Sequence, residues 1–204
     1  LFSGGIYSTF LAHYFKTHNY DFTCYTSALE TEHKAPADLV AAKEVAQLLD
    51  LPLKIKTITK EQIPEYLKHI IPLIEDSNVT KVGVALTFYL ACELAKEDGC
   101  KVIFSGLGSE EIFAGYDRHK KSANINQECV SGLRKMYERD LYRDDVLTMD
   151  NNLELRLPFL DKELIQFSLK IPEQHKIKGE LTKFILRDIA SDLGIPEQFA
   201  NRKK

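Results

Sequence analysis

Short β-branched runs alternate with amphipathic stretches of about a dozen residues through the first half of the chain, and this alternation narrows the fold more than any other feature. Residues 22–25 (FTCY) predict a strand, and residues 36–50 predict a helix with Leu39, Ala42, Val45, Ala46 and Leu49 on one face. Leu53–Ile58 (LKIKTI) predicts a second strand, alternating apolar and charged side chains. Residues 61–75 read as a helix with Pro64 in its first turn and Pro72 near its end. Residues 84–97 read as a strong helix ended by Asp98-Gly99, and residues 101–105 (KVIFS) as a third strand. Strands spaced by helices of this length require crossovers, so the expected class is α/β with a parallel sheet covered by helices. After Gly115 the pattern turns helical, over residues 132–142, Lys162–Ser168 and residues 181–193, with the polar stretch 117–130 expected as a mobile loop. The expected organisation is a single domain over 1–204. Its sheet part covers about 1–116, and its helical part, about 117–204, docks on the sheet's edge.

Composition sets outer limits. With 44% hydrophobic and 28% charged residues over 204 positions, the chain can fill a core without staples and is no disordered polymer; 10 glycines exclude a collagen-like repeat. Lys and Arg number 27 against 30 Asp and Glu, a net charge of −3 that calls for neither nucleic acid nor an anionic membrane as partner. Cys24, Cys92, Cys100 and Cys129 form no CxxC pair and stand at no metal-ligand spacing with histidine, so they read as reduced, mostly buried thiols. The most apolar stretch, residues 82–92, is too short to span a bilayer and lies between Lys81 and Glu93. No signal peptide precedes the first motif, and a cytoplasmic location is the expectation. The chain opens at Leu1 directly on a glycine motif, which suggests a fragment of a longer protein or a trimmed chain.

Four motifs carry chemistry. In Ser3-Gly4-Gly5-Ile6-Tyr7-Ser8-Thr9, two glycines precede hydroxyl residues at a helix start. Backbone amides, the helix dipole and the hydroxyls can together draw an anion such as phosphate; a plain strand-to-helix turn would use the same residues. Ser105-Gly106-Leu107-Gly108-Ser109-Glu110-Glu111-Ile112-Phe113-Ala114-Gly115-Tyr116 follows the third strand, at the carboxyl end where open α/β sheets place ligands. Its adjacent carboxylates are either ordinary helix-start acids or, opposite a phosphate, Mg²⁺ ligands. Glu154-Leu155-Arg156-Leu157-Pro158-Phe159-Leu160-Asp161 reads as a turn entering a helix, with Asp161 as N-cap. Lys183 and Arg187 stand four positions apart on one predicted helical face, as a solvated cationic pair or as a phosphate partner.

Together, in this order and spacing, the motifs resemble the synthetase domain of asparagine synthetases, within the PP-loop ATP pyrophosphatase superfamily. Phe113-Ala114-Gly115-Tyr116 is similar to the family's phenylalanine–glycine–glycine–tyrosine ending. Arg143-Asp144-Asp145-Val146-Leu147-Thr148-Met149, the ELRLPFLD element, Lys183-Phe184-Ile185-Leu186-Arg187 and the basic Arg202-Lys203-Lys204 likewise resemble family elements, as do residues 36–48 and 73–91 between motifs. The resemblance implies a Rossmann-like α/β fold and an ATP-dependent, AMP-forming amide ligase: a carboxylate such as that of aspartate is adenylated with release of pyrophosphate, and ammonia then displaces AMP. Carried over position by position, Ser3, Gly4, Gly5 and Ser8 would hold the pyrophosphate end, and Phe2, Thr26, Ser105 and Gly106 would line the nucleotide. Lys183, assisted by Arg187, would neutralise charge in the adenylation step, and Glu110 would act at the reacting centre and as a ligand of Mg²⁺.

Three positions depart from the family pattern. Tyr7 stands in place of the first loop's aspartate, and a neutral phenol is a poor ligand for a hard cation. Glu110 replaces an aspartate, and Leu107 a glutamate found in many glutamine-dependent relatives. No glutaminase domain is read in the chain, so ammonia would come from solution or from a separate or missing glutaminase. The departures favour an alternative, a nucleotide-binding relative without turnover that serves as a regulatory or assembly module. A third option, activation of a tRNA base by another PP-loop activity, conflicts with the acidic charge balance.

Overall fold

The structure, a computed structural model, describes residues 1–30 and 35–200; the Arg202-Lys203-Lys204 segment lies outside the described residues. In chain order the elements are α1 (Ile6–Thr17), β1 (Cys24–Leu29), α2 (Ala37–Leu48), β2 (Leu53–Ile58), α3 (Ile63–Ile74), α4 (Val79–Glu97), β3 (Val102–Phe104), α5 (Ser109–Ile112), α6 (Asp117–Lys120), α7 (Ile125–Arg134), α8 (Tyr142–Asp150), β4 (Glu154–Arg156), α9 (Lys162–Ser168), α10 (Glu173–Lys176), β5 (Ile177–Lys178), β6 (Leu181–Thr182), α11 (Phe184–Asp192) and α12 (Glu197–Ala200). They group into two units, Leu1–Ser105 with Glu138–Arg156, and Gly106–Tyr137 with Leu157–Lys204. The α/β class expected from the alternation is present.

In the first unit β1 and β2 lie parallel, in register from Cys24 opposite Leu53 to Leu29 opposite Ile58. The strand expected at 22–25 therefore starts later and runs further, because its polar centre, Thr26-Ser27, is committed by pairing with Ile55 and Lys56. A second parallel pair joins β3 to β4 through Val102–Glu154, Ile103–Leu155 and Phe104–Arg156. The ELR of the ELRLPFLD element is thus a strand and not part of a turn, and the described strands form two-stranded pairs in place of one continuous sheet. Helix α4 begins five residues before the expected 84, because the Asn78 side chain caps it by accepting the amides of Thr80 and Lys81. Its apolar face supplies Val82, Ala85, Leu86, Tyr89 and Leu90 to a core with Ile58 of β2, Ile70 and Ile74 of α3, and Leu147 of α8. Further along the same helix, Ala91, Cys92 and Ala95 pack with Tyr25, Ile103 and Leu153. In α8 the element Arg143–Met149 carries a buried ion pair, Arg143 Nη2 to Asp144 Oδ1 at 2.7 Å. Burial nevertheless pushes the Asp144 carboxyl up to about 6, more than its arginine neighbour lowers it.

The second unit corrects two expectations. The stretch 117–130, expected as a mobile loop, holds α6 and most of α7, whose first turn is capped by the Asn124 side chain accepting the Gln127 amide. The helix expected at 132–142 is interrupted near Lys135: α7 ends at Arg134, and a π-helical segment, Tyr137–Leu141, runs directly into α8. Asp161 caps α9 as expected, accepting the amides of Glu163 and Leu164. Ahead of α11, residues 177–182 make a two-stranded antiparallel hairpin, with Ile177 opposite Thr182 and Lys178 opposite Leu181.

Between α7 and α10 lies the largest fully buried side chain of the described residues, Lys176, at 0% exposure. Its Nζ stands 4.0 Å from Sγ of Cys129. Desolvation holds the amine below the ordinary lysine range, so the folded chain binds fewer protons at this site than the unfolded chain, and stability rises with pH through that window. Lys176→Met keeps the length and removes the buried amine, so it should stabilise the protein by about 1–2 kcal/mol at pH 7. Urea unfolding should show the gap to wild type narrowing from pH 7 towards pH 10; a gap that widens would put a charged, well-compensated ammonium at this place. Among the described residues all four cysteines are free, and no helix is long and apolar enough to cross a membrane.

Candidate functional site

The first group of expected site residues lies in the first unit. Phe2 is buried and its amide donates to the Tyr25 carbonyl at 2.8 Å, which fixes the loop beside β1, where Thr26 follows. Gly4 turns the chain with φ +64; a Cβ there would stand 2.6 Å from the Ala41 carbonyl carbon and 2.7 Å from the Ala42 nitrogen. The loop therefore runs against the backbone of α2, an approach open to glycine alone. The two serines brace the turn. The Ser3 amide donates to Ser8 Oγ at 3.3 Å, the Gly5 amide to Ser3 Oγ at 3.4 Å, and the Ser8 hydroxyl to the Gly5 carbonyl at 3.1 Å. The first amides of α1 have no partners inside the helix, its first turn holds no acid, and the dipole adds partial positive charge. Thr9 Oγ1, also buried, finds no hydrogen-bond partner among the described residues. The arrangement suits an anion. Ser105 follows β3, its amide donating to the Arg156 carbonyl at 3.1 Å.

The second group lies in the other unit. Lys183 Nζ reaches Glu110 Oε1 at 2.6 Å, an ion pair of which the lysine side chain is only 9% exposed. Lys183 does not share a helical face with Arg187, as the spacing had suggested. It stands between the β5–β6 hairpin and α11 in a left-handed conformation, φ 60, ψ 31. A lysine in this region costs of order 1–2 kcal/mol, a strain that persists only where surrounding contacts over-determine it. Arg187, one turn into α11, folds back so that its Nε donates to the Thr182 carbonyl at 2.8 Å. Gly106 accepts the Ser109 hydroxyl at the entry to α5. The helix ends in a turn in which the Gly115 amide donates to the Glu110 carbonyl at 2.8 Å.

Gly115 and His119 belong to this neighbourhood and were not among the expected site residues. A Cβ on Gly115 would overlap Glu110 Oε2 and sit 2.7 Å from Lys183 Cε. The glycine and Glu110 were visible inside one motif, but Lys183 comes from a segment almost seventy residues away, which no local pattern reveals. Gly115→Ala should displace both partners of the ion pair, slow any lysine-dependent step by about a hundredfold and cost about 1–3 kcal/mol. Chemical unfolding read beside the rate checks this; an unchanged rate would mean the pair tolerates displacement.

Among the described residues the donor set does not fit a resident metal. Among the described residues no three His, Cys, Asp or Glu side chains come together as metal donors. The loop from Ser3 to Thr9 has no carboxylate, and Glu110 is engaged by Lys183. Tyr7 is itself buried within α1.

Comparison of the sequence with known proteins places the chain in a family. The sequence pattern of the family described as Asparagine synthase matches residues 1–129 and 120–204. A putative glutamine-hydrolyzing asparagine synthetase of Methanocaldococcus jannaschii is 38% identical over 146 residues, covering 69% of this chain and 27% of that protein. A probable asparagine synthetase of Schizosaccharomyces pombe is 34% identical, covering 74% of the chain and 28% of the relative. Asparagine synthetase 1 of Saccharomyces cerevisiae is 32% identical, covering 78% and 29%. The chain thus spans less than a third of the length of these curated relatives. A match over both halves of the sequence, with relatives above 30% identity, means that the chain belongs to the asparagine synthase family.

Proposed function

We propose that residues 1–204 act as the ATP-binding, adenylating domain of an AMP-forming amide ligase of the asparagine synthetase type, with a PP-loop, Rossmann-like core. The observation that carries the reading is the 2.6 Å pair of Lys183 with Glu110, in which a largely buried lysine is held in a left-handed backbone conformation. Holding a cation in a strained, pre-set position is the arrangement needed to meet charge that develops only during reaction. In this reading the substrate carboxylate, aspartate being the first candidate, attacks the α-phosphorus of ATP. Pyrophosphate is released, its binding assigned to the Ser3, Gly4, Gly5 and Ser8 loop, and ammonia displaces AMP from the acyl adenylate. Phe2, Thr26, Ser105 and Gly106 serve the nucleotide, chiefly through backbone groups. Lys183 offsets negative charge shared between phosphate and carboxylate, Glu110 orients that lysine, and Arg187 supports the segment before α11. Mg²⁺ enters with the phosphates of ATP as part of the substrate, since the described residues gather no cluster of donors for it, and no step is assigned to it. Ammonia comes from solution or from a glutaminase.

The test is pyrophosphate release from ATP and Mg²⁺ with L-aspartate and ammonium, omitting each component in turn. Release that needs aspartate supports the ligase; release indifferent to every acid would reject adenylation of a carboxylate.

A second reading rests on Tyr7 and Leu107, which remove acids from two motifs: a nucleotide-binding module without turnover. It predicts ATP binding by calorimetry with no pyrophosphate release. Tyr7→Asp should then raise activity and make it more dependent on Mg²⁺, and an unaltered assay would count against Tyr7 as the cause.

A further inference from the structure

The turn that closes the second motif is held from behind by a histidine that neither the motif pattern nor the ligase reading uses. Ala114 stands at φ 56, a left-handed position that strains any residue with a Cβ. On one side the turn is tied by the Gly115 amide to the Glu110 carbonyl, at 2.8 Å. On the other side the Tyr116 amide donates to Nδ1 of His119 at 3.1 Å, and His119 returns its own amide to the Tyr116 carbonyl at 3.0 Å. His119 is 0% exposed. Because Nδ1 must accept, the ring here is the neutral tautomer with its proton on Nε2. The Tyr116 ring stacks on the imidazole at 5.7 Å and carries the Arg118 guanidinium 4.0 Å from its centroid, and Arg118 Nε lies 3.1 Å from Glu128 on α7. Gly115 lies between these two ties, and a Cβ there would overlap Glu110 Oε2 and stand 2.7 Å from Lys183 Cε, so the turn closely approaches both partners of the ion pair.

We propose that His119 is a positioning residue: its Nδ1 fixes the Ala114–Gly115–Tyr116 turn and thereby sets the geometry of the Glu110–Lys183 pair. The proposal rests on the ligase reading for its catalytic consequence, but the positioning itself is observable without turnover.

Two variants separate the role of Nδ1 from simple filling of space. In His119→Asn a carbonyl oxygen stands at about the reach of Nδ1. In His119→Gln it stands one methylene further, near the place of Nε2. The ¹⁵N–¹H signal of the Lys183 ammonium, assigned by its loss in Lys183→Met, should persist in wild type and His119→Asn and vanish into solvent exchange in His119→Gln. Exchange of the Tyr116 amide should follow the same order. Pyrophosphate release should fall at least about tenfold in His119→Gln with ATP affinity within twofold, and recover in His119→Asn, since sub-ångström misplacement acts on the rate and not on ground-state binding. Both variants keeping the lysine signal, both losing it, or an unfolded His119→Asn would each overturn the proposal. A wild type that releases no pyrophosphate would instead reject the ligase reading, while the lysine signal and the amide exchange still decide the role of His119.

Discussion

Lys183→Met is expected to slow pyrophosphate release from ATP at least about a hundredfold while ATP affinity stays within a few-fold of wild type. Methionine keeps the length of the side chain and removes its charge, so packing around the Cα–Cε stem changes little. The lost quantity is the attraction between an ammonium held 2.6 Å from Glu110 and the charge that grows between phosphate and carboxylate during adenylation. Removing one preorganised electrostatic partner typically costs 10²–10³ in rate, roughly 2.7–4 kcal/mol. Ground-state nucleotide binding is assigned to the braced loop of Ser3, Gly4, Gly5 and Ser8, which this substitution leaves untouched. Steady-state rates beside calorimetric ATP titration separate the two quantities. Should affinity and rate fall together by one factor, Lys183 holds the ground state and the proposed role is wrong. Lys183→Arg should not rescue, because a planar guanidinium needs more width than the space beside Gly115 and Glu110 provides.

Much of the chemistry was legible because the residues that carry it also punctuate the chain. Gly4 and Gly5 mark a turn entering a helix, and Gly106 and Gly108 mark the end of a strand, so both loops fall where an α/β sheet presents ligands. The elements that were misplaced are those settled by distant partners. β4 is three residues long, and only its parallel pairing with β3, some fifty positions earlier, makes it a strand. Residues 117–130 are polar enough to read as a loop, yet His119 and Cys129 are wholly buried there and Asn124 caps a helix, so tertiary packing outweighed composition. Lys183 fits an amphipathic helical pattern through residue 193 but belongs to the turn after a hairpin, and the left-handed backbone that aims it is a property of that junction. The ion pair follows the same rule: each partner was a candidate by itself, and their meeting depends on the missing side chain of Gly115 and the turn behind it.

The loop at the start of the chain gives the largest expected effect on stability. Gly4→Ala combines two penalties that cannot relieve each other. The residue sits at φ +64, which costs an L-residue with a Cβ about 1–2 kcal/mol. The new methyl would also meet backbone atoms only, the Ala41 carbonyl carbon at 2.6 Å, its oxygen at 2.8 Å and the Ala42 nitrogen at 2.7 Å. A flexible side chain could swing aside; a helical backbone whose Ala42 and Val45 are fully buried cannot, and overpacking of such a site costs about 1–3 kcal/mol. The sum, about 2–5 kcal/mol, is a large share of the stability of a domain this size. Denaturant unfolding should therefore show a much lower midpoint for Gly4→Ala. Gly5→Ala makes the control: Gly5 has ordinary φ −81, and its Cβ would meet only Ser3 Oγ, at 3.3 Å, an atom that can rotate away. It should lose less than about 1 kcal/mol. Comparable losses at both positions would mean that the loop is sensitive to any added bulk, and that the close approach of α2 is not what requires glycine at Gly4.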